Sequence, residues 1–122
     1  MRLYHASNHV VEKPNLDQHR RNLRSIINGN SVLGLFCNSS HEGLGVFGDN
    51  LYSFTLSEEA TVLEIEDEFR QPGRCAEYYR GIRDLLLWMG YDAVTVKHDN
   101  CMSAVVLNFD VIEDWRHDGE AD

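Results

Sequence analysis

Residues 74–96 read RCAEYYRGIRDLLLWMGYDAVTV, and this stretch decides the fold class. From Arg74 to Met89, apolar side chains recur every three or four residues, which is the spacing of one helix face. Gly90 follows in the position where glycine commonly ends a helix. Tyr91–Val96 is then a short apolar run of the kind that forms a buried strand. The stretch therefore predicts a helix that turns directly into a strand.

Short apolar runs bounded by turn residues predict further strands on both sides of that stretch. These runs cover residues 2–6, 32–37, 51–56, 61–65 and 104–109, and residues 110–115 extend the last of them. A second helix is predicted over residues 16–27, where Leu16, Leu23, Ile26 and Ile27 share one face. Six or seven strands with two or three short helices describe an α+β domain.

Ser39 and Glu42 have the spacing of a capping box. In that motif the serine hydroxyl accepts from an amide three residues on, and the glutamate carboxylate reaches back to the cap amide. The pattern predicts a short helix that begins at Ser39 and ends by Phe47, because Gly43 and Gly45 weaken it.

The composition describes one globular domain. A chain of 122 residues that is 43% hydrophobic can bury a core without disulfides or metals. We expect the domain to span residues 1–116, and residues 117–122 to form a frayed acidic tail. No apolar run approaches the roughly 20 residues that cross a bilayer, and the N-terminus is unlike an export signal. A soluble, cytoplasmic protein is expected.

Charge and cysteine content disfavour several functional classes. A net charge of -9 repels phosphate backbones, so we expect no direct nucleic-acid binding. Attraction to a basic protein surface is an alternative to plain solubility as the role of this charge. Three cysteines without a C-x-x-C pair indicate neither a disulfide framework nor a zinc site, and are interpreted as buried thiols. The histidines lack the close spacing of zinc ligands, so no metal site is predicted.

Two segments carry residue types suited to a flat heterocyclic ligand. The first strand contains Tyr4-His5-Ala6-Ser7, and the second contains Gly34-Leu35-Phe36. Phe47 follows Phe36 after an interval of eleven positions. Taken singly, His5 is a satisfied core histidine and the two phenylalanines are core aromatics. Their joint order and spacing indicate a dinucleotide site.

These motifs together resemble the diphtheria-toxin type of ADP-ribosyltransferase. In that family the first strand carries Tyr-His-Gly-Thr, the second carries Gly-x-Tyr, and another tyrosine follows at the same interval. The downstream order of two strands, a helix and a Gly90-Tyr91-Asp92-Ala93-Val94 strand is similar too. The resemblance covers nearly the whole chain and implies a split β-sandwich fold, with NAD as co-substrate.

The resemblance implies a role for each matching residue. His5 would hydrogen-bond the adenosine ribose, the backbone at Ala6 would hold the nicotinamide amide, and Ser7 would support that strand end. Phe36 and Phe47 would stack on the nicotinamide in place of the two tyrosines, since the aromatic face is retained. Further NAD contacts would come from Gly34, Leu35 and Asn38.

The chain departs from the family at the catalytic glutamate. That residue usually begins the last strand and anchors a ribose hydroxyl, but the matching position falls near Ser103, and no glutamate lies between Glu77 and Glu113. Three alternatives are open. Asp99 in the preceding turn assists, although it is by default a solvated turn residue. The acceptor assists, as in members that transfer a single ADP-ribose without the glutamate. Or the site binds NAD, or nothing, without chemistry.

The function implied by the resemblance is transfer of one ADP-ribose from NAD to a macromolecule, more readily a protein than a nucleic acid. A bacterial or phage effector that disables a host defence protein suits the small size of the chain. One alternative is a catalytically decayed domain of the same fold, which binds or inhibits a partner through its acidic surface. Another is the related RNA 2'-phosphotransferase, whose basic site is disfavoured by the net charge of -9.

Overall fold

The computed structural model describes residues 1–8, 33–66 and 75–121. Seven strands lie within these ranges: β1 (Leu3–Ser7), β2 (Leu35–Asn38), β3 (Asn50–Leu56), β4 (Val62–Ile65), β5 (Ala93–Lys97), β6 (Met102–Val106) and β7 (Ile112–Glu120). One α-helix, α1 (Ala76–Trp88), and two 3-10 helices, Leu44–Phe47 and Phe109–Val111, complete the described elements. The prediction of an α+β class is confirmed.

The strands form one mixed sheet in the order β4-β5-β6-β2-β1-β3-β7. β4 and β5 run parallel, and every other neighbouring pair is antiparallel. Parallel neighbours need a long crossover, and α1 lies between these two strands in the chain. The two halves of the sheet meet at β2 and β1, where only one residue pair, Tyr4 with Asn38, is in register.

Helix α1 ends where the sequence predicts it to end. Gly90 has a φ of 94°, in the region that favours glycine. The Gly90 amide donates to the Leu87 carbonyl, and the Tyr91 amide donates to the Leu86 carbonyl, both at 3.0 Å. This pair of bonds is a Schellman motif, which satisfies two of the last helix carbonyls. The chain then enters β5 at Ala93.

The core consists of two apolar clusters on opposite faces of the sheet. Alternation along β6 separates them, because Ala104 and Val106 belong to one cluster and Val105 to the other. The first cluster also contains Leu3, Leu35, Cys37, Phe54, Phe109 and Ile112. The second lies beneath α1 and also contains Leu33, Tyr79, Val94 and Leu107. The packing of α1 thus covers one face of the strands from β5 to β2.

A buried arginine fastens α1 to the sheet. Arg83 is 5% exposed, and its guanidinium donates to the carbonyl oxygens of Leu33, at 2.7 Å, and of Leu107. These two carbonyls lie just before β2 and just after β6. Because one charged side chain of α1 bonds to the segment before β2 and to the segment after β6, it fixes the position of the helix over these strands.

Several boundaries differ from the predictions. The expected fraying of the chain at His117 is wrong, because β7 continues to Glu120 and pairs with β3 through Asn50. Sequence gives little sign of this, since polar edge strands and tails have similar composition. Only Cys37 is a buried thiol; Cys75 is exposed and Cys101 is intermediate, so the interpretation of all three as buried is wrong. The helix predicted over residues 16–27 lies outside the described residues.

Burial also sets the chemistry of Cys37. Removal from solvent raises the pKa of this thiol, because burial disfavours the thiolate. Its Sγ donates to the Ala104 carbonyl at 3.6 Å, a bond that only the protonated thiol makes.

In the described part of the chain, no helix has the length and apolar character that a membrane span requires.

Candidate functional site

His5 links the two strands that carry the sequence motifs. It lies in the middle of β1, and its Nδ1 is 2.7 Å from the Phe36 carbonyl oxygen of β2. A carbonyl oxygen only accepts, so the ring proton resides on Nδ1 in this bond. In the neutral imidazole, Nε2 then carries a lone pair and is an acceptor.

The bond between His5 and Phe36 stands where the β1–β2 ladder stops. β1 pairs with β3 at every residue from Leu3 to Ser7, but with β2 only through Tyr4 and Asn38. Beyond that pair the two strands are connected by the imidazole rather than by a registered ladder. The backbone of β1 after His5 is thus at a break in the sheet, on its β2 side.

Alternation along the strands separates the side chains of His5 and Phe36. Leu3 and Cys37 lie in the first cluster, and His5, two residues after Leu3, points to that same face. Phe36 packs against the second cluster, beneath α1. The sequence motifs predicted that both side chains contribute to one dinucleotide site, but the strand period places them on opposite faces of the sheet.

Phe47 lies beside the end of β1. It closes the 3-10 helix Leu44–Phe47, and its ring is 59% exposed. The next residue, Gly48, presses against the Ser7 backbone so closely that an added Cβ would lie 2.2 Å from the Ser7 carbonyl carbon. Asn50 donates from Nδ2 to the Ser7 carbonyl oxygen at 3.2 Å. These contacts hold the backbone that follows Phe47 against the end of β1.

The capping box predicted at Ser39 does not form. The Ser39 hydroxyl accepts from the Met102 amide at 2.8 Å, and the Ser39 amide donates to the Met102 carbonyl. The 3-10 helix begins later, after Gly43, without a side-chain cap. A cross-strand partner therefore replaces the local partner of Ser39, which is a tertiary effect that a capping pattern does not contain.

Gly34, Leu35 and Ala6 have structural roles that the sequence motif does not reveal. A Cβ on Gly34 would lie 2.2 Å from the Val106 carbonyl oxygen, so only glycine fits against β6. Leu35 belongs to the first apolar cluster, and Ala6 is buried. Only the backbone groups of these three residues are suited to contact a ligand.

A polar cluster forms on the Phe36 side of the sheet, where β2, β5 and β6 meet. Ser103 Oγ lies 2.9 Å from His98 Nε2 and accepts from Asn38 Nδ2 at 3.4 Å. The Asn38 Oδ1 atom accepts from the Ser40 amide at 2.8 Å. Ser103 is thus held by an imidazole and an amide.

The sequence motifs did not identify His98. It lies in the polar turn between β5 and β6, five residues before Ser103. Val96 pairs with Ser103 in the antiparallel β5–β6 hairpin, so the turn between these strands carries His98 close to Ser103. The register of this hairpin is the sequence signal that could have identified His98. Asp99, the predicted assisting carboxylate, is exposed in the same turn.

Among residues 1–8, 33–66 and 75–121, no three His, Cys, Asp or Glu side chains are grouped as metal ligands would be.

Comparison of the chain with protein-family models, with curated proteins and with solved structures finds no match. Function is therefore inferred from the chain's own residues.

Proposed function

We propose that this chain is an NAD-dependent mono-ADP-ribosyltransferase that modifies a protein acceptor. The observation that carries the proposal is the bond from His5 Nδ1 to the Phe36 carbonyl, at 2.7 Å. It joins the Tyr-His-Ala-Ser strand to the Gly-Leu-Phe strand at the one place where the sheet halves separate. The bond brings the His5 side chain to the backbone of the second motif, 31 residues away in sequence, while the Phe36 ring packs on the other face of the sheet.

The strand order supports the fold part of the proposal. A split β-sandwich needs two strand groups joined by a narrow connection. Four strands, β4, β5, β6 and β2, lie on one side of the Tyr4–Asn38 pair, and three, β1, β3 and β7, lie on the other. We interpret the single registered pair between β1 and β2, within the one seven-stranded sheet, as such a connection.

The residues at the break fit NAD in part. Phe47 is exposed and precedes Gly48, whose backbone contacts Ser7, and its ring suits stacking on the nicotinamide. The backbone at Ala6 and Ser7 lies beyond the β1–β2 ladder and is suited to hold the nicotinamide amide. Phe36 packs beneath α1, so we assign the main stacking role to Phe47. Bound NAD supplies the ADP-ribosyl group, and these residues would orient it.

In this proposal Ser103 takes the place of the missing glutamate. It lies on the Phe36 face of the sheet, whereas His5 points to the other face. The Ser103 hydroxyl, fixed by Asn38 and His98, is suited to hydrogen-bond a ribose hydroxyl. Asp99 lies next to His98 in the turn before β6, and in this proposal its carboxylate assists at the ribose. A neutral hydroxyl stabilises developing positive charge less than a carboxylate does, so transfer of a single ADP-ribose to an acidic acceptor is the expected activity.

Replacement of His5 by alanine tests the proposal. The purified protein is incubated with labelled NAD and a cell lysate, and labelled protein bands are counted. We expect the His5→Ala variant to lose about a hundredfold of the labelling rate, because the link between the motif strands and the ribose contact are both removed. His117→Ala serves as the control, since His117 is an exposed histidine that stacks on Tyr52 and lies on the edge strand β7, which β3 and β1 separate from β2 in the sheet. Equal labelling by wild type and the folded His5→Ala variant would refute the proposal.

A second candidate function is binding without catalysis. Three exposed apolar side chains lie together at the C-terminal end of α1, with Trp88 at 84% exposure beside Leu85 and Met89. Large exposed apolar side chains on an acidic protein favour contact with a partner. In this case the chain would act by occupying its partner's surface, and labelled NAD would leave no protein band.

A further inference from the structure

The pair formed by Ser103 and His98 has the geometry of a nucleophile and its base. Their Oγ and Nε2 atoms are 2.9 Å apart, which is the distance that proton transfer between such groups requires. The transferase proposal uses Ser103 only as a hydrogen-bonding group. Its contacts suit it to a second kind of chemistry.

The neighbouring Asn38 amide occupies one acceptor position of the serine oxygen. The Ser40 amide must donate to Asn38 Oδ1, so the Asn38 Nδ2 group is the one that faces Ser103. Nδ2 only donates, and it therefore occupies one lone pair of the Ser103 oxygen. Ser103 donates its hydroxyl proton to His98 Nε2 in the tautomer whose ring proton is on Nδ1. This is the arrangement in which a histidine activates a serine.

The pair is also rigidly placed. Ser103 lies within β6 and pairs with Asn38 of β2 on one side and with Val96 of β5 on the other. The turn that carries His98 is closed by a 2.8 Å bond from the His98 amide to the Cys101 carbonyl. His98 is exposed, so a reagent can approach the pair from solvent. Fixed positions and access are what nucleophilic catalysis needs from a scaffold.

We propose that Ser103 is a nucleophile activated by His98 and that it accepts acyl groups from activated esters. Ser103 Oγ forms a bond to the acyl carbon, and its proton moves to His98 Nε2. The carbon–oxygen bond of the ester breaks, and the departing alcohol takes that proton from His98. The products are an acylated Ser103 and a free alcohol, with His98 neutral again.

A phosphonyl fluoride probe tests this inference, because a serine nucleophile attacks it in the same way and the adduct is stable. We expect peptide mass spectrometry to locate the probe on Ser103. In His98→Gln, which keeps a hydrogen-bonding group but lacks the base, the labelling rate should fall about a hundredfold. Thermal unfolding of His98→Gln should match that of wild type, since His98 is exposed.

Ser57 is the internal control, because its hydroxyl accepts from the Glu59 amide in a turn after β3. It should stay unlabelled under conditions that label Ser103. Two results overturn the inference: labelling of Ser103 no faster than of Ser57, or an unchanged labelling rate in the folded His98→Gln protein. Neither result depends on NAD, so this test and the test of the transferase proposal fail independently.

Discussion

Replacing Arg83 by methionine is expected to lower the free energy of unfolding by about 3 kcal/mol. Methionine keeps most of the apolar stem but removes the donors that reach the carbonyls of Leu33 and Leu107. Each carbonyl would then lose a charged partner in a region from which water is excluded, and an unsatisfied buried acceptor costs about 1–3 kcal/mol. Urea unfolding followed by circular dichroism measures the change.

Arg80→Met is the control for that experiment. Arg80 lies on α1 one turn before Arg83 and is exposed, so its replacement should change stability by no more than about 0.5 kcal/mol. Arg83→Lys is also informative, because a lysine lacks the planar fork that reaches two carbonyls. If Arg83→Met has the same free energy of unfolding as wild type, apolar packing alone positions α1.

The second large effect is expected at Gly34. A methyl group there would meet the Val106 carbonyl oxygen at 2.2 Å, and the nearest atoms include backbone that cannot rotate away. Gly34→Ala should therefore cost about 3 kcal/mol, at the upper end for overpacked sites, because β2 must shift away from β6. The midpoint of urea unfolding measures this, in the absence of NAD.

Gly81→Ala provides the opposite expectation in the same protein. Gly81 lies within α1, and an added Cβ would meet no atom within 4 Å. Alanine has the higher helix propensity, so this variant should be more stable by about 0.5–1 kcal/mol. If Gly34→Ala unfolds like wild type, the close approach of β2 and β6 is not the reason for glycine at that position.

Local patterns were sufficient to predict the elements whose partners are near in sequence. The apolar spacing before Gly90 predicted α1, and the glycine predicted its end, because helix bonds and caps connect residues a few positions apart. The runs that became β3 and β5 were found within two residues of their observed bounds, and the run over residues 104–109 overlaps β6 but extends three residues past its end. Their apolar side chains fill both faces of the sheet.

Patterns failed where a distant partner decides the outcome. Ser39 carries a capping signal, but its hydroxyl bonds to Met102, 63 residues away. His117 belongs to β7 because β3 offers an edge for pairing, which local composition does not record. His98 lies beside Ser103 because of the register in which β5 and β6 pair. Opposite orientation of His5 and Phe36 follows from alternation once their strands pair, which the motif spacing alone leaves undetermined.

Direct titration of NAD into the purified protein, followed by calorimetry, is the sharpest test of the proposed nucleotide site. We predict saturable binding that weakens about tenfold in Phe47→Ala, because base–aromatic stacking contributes about 1–3 kcal/mol. Phe47 is 59% exposed, so the variant should fold normally and report on binding alone. Absence of any binding heat at millimolar NAD in the folded wild-type protein would contradict the proposal.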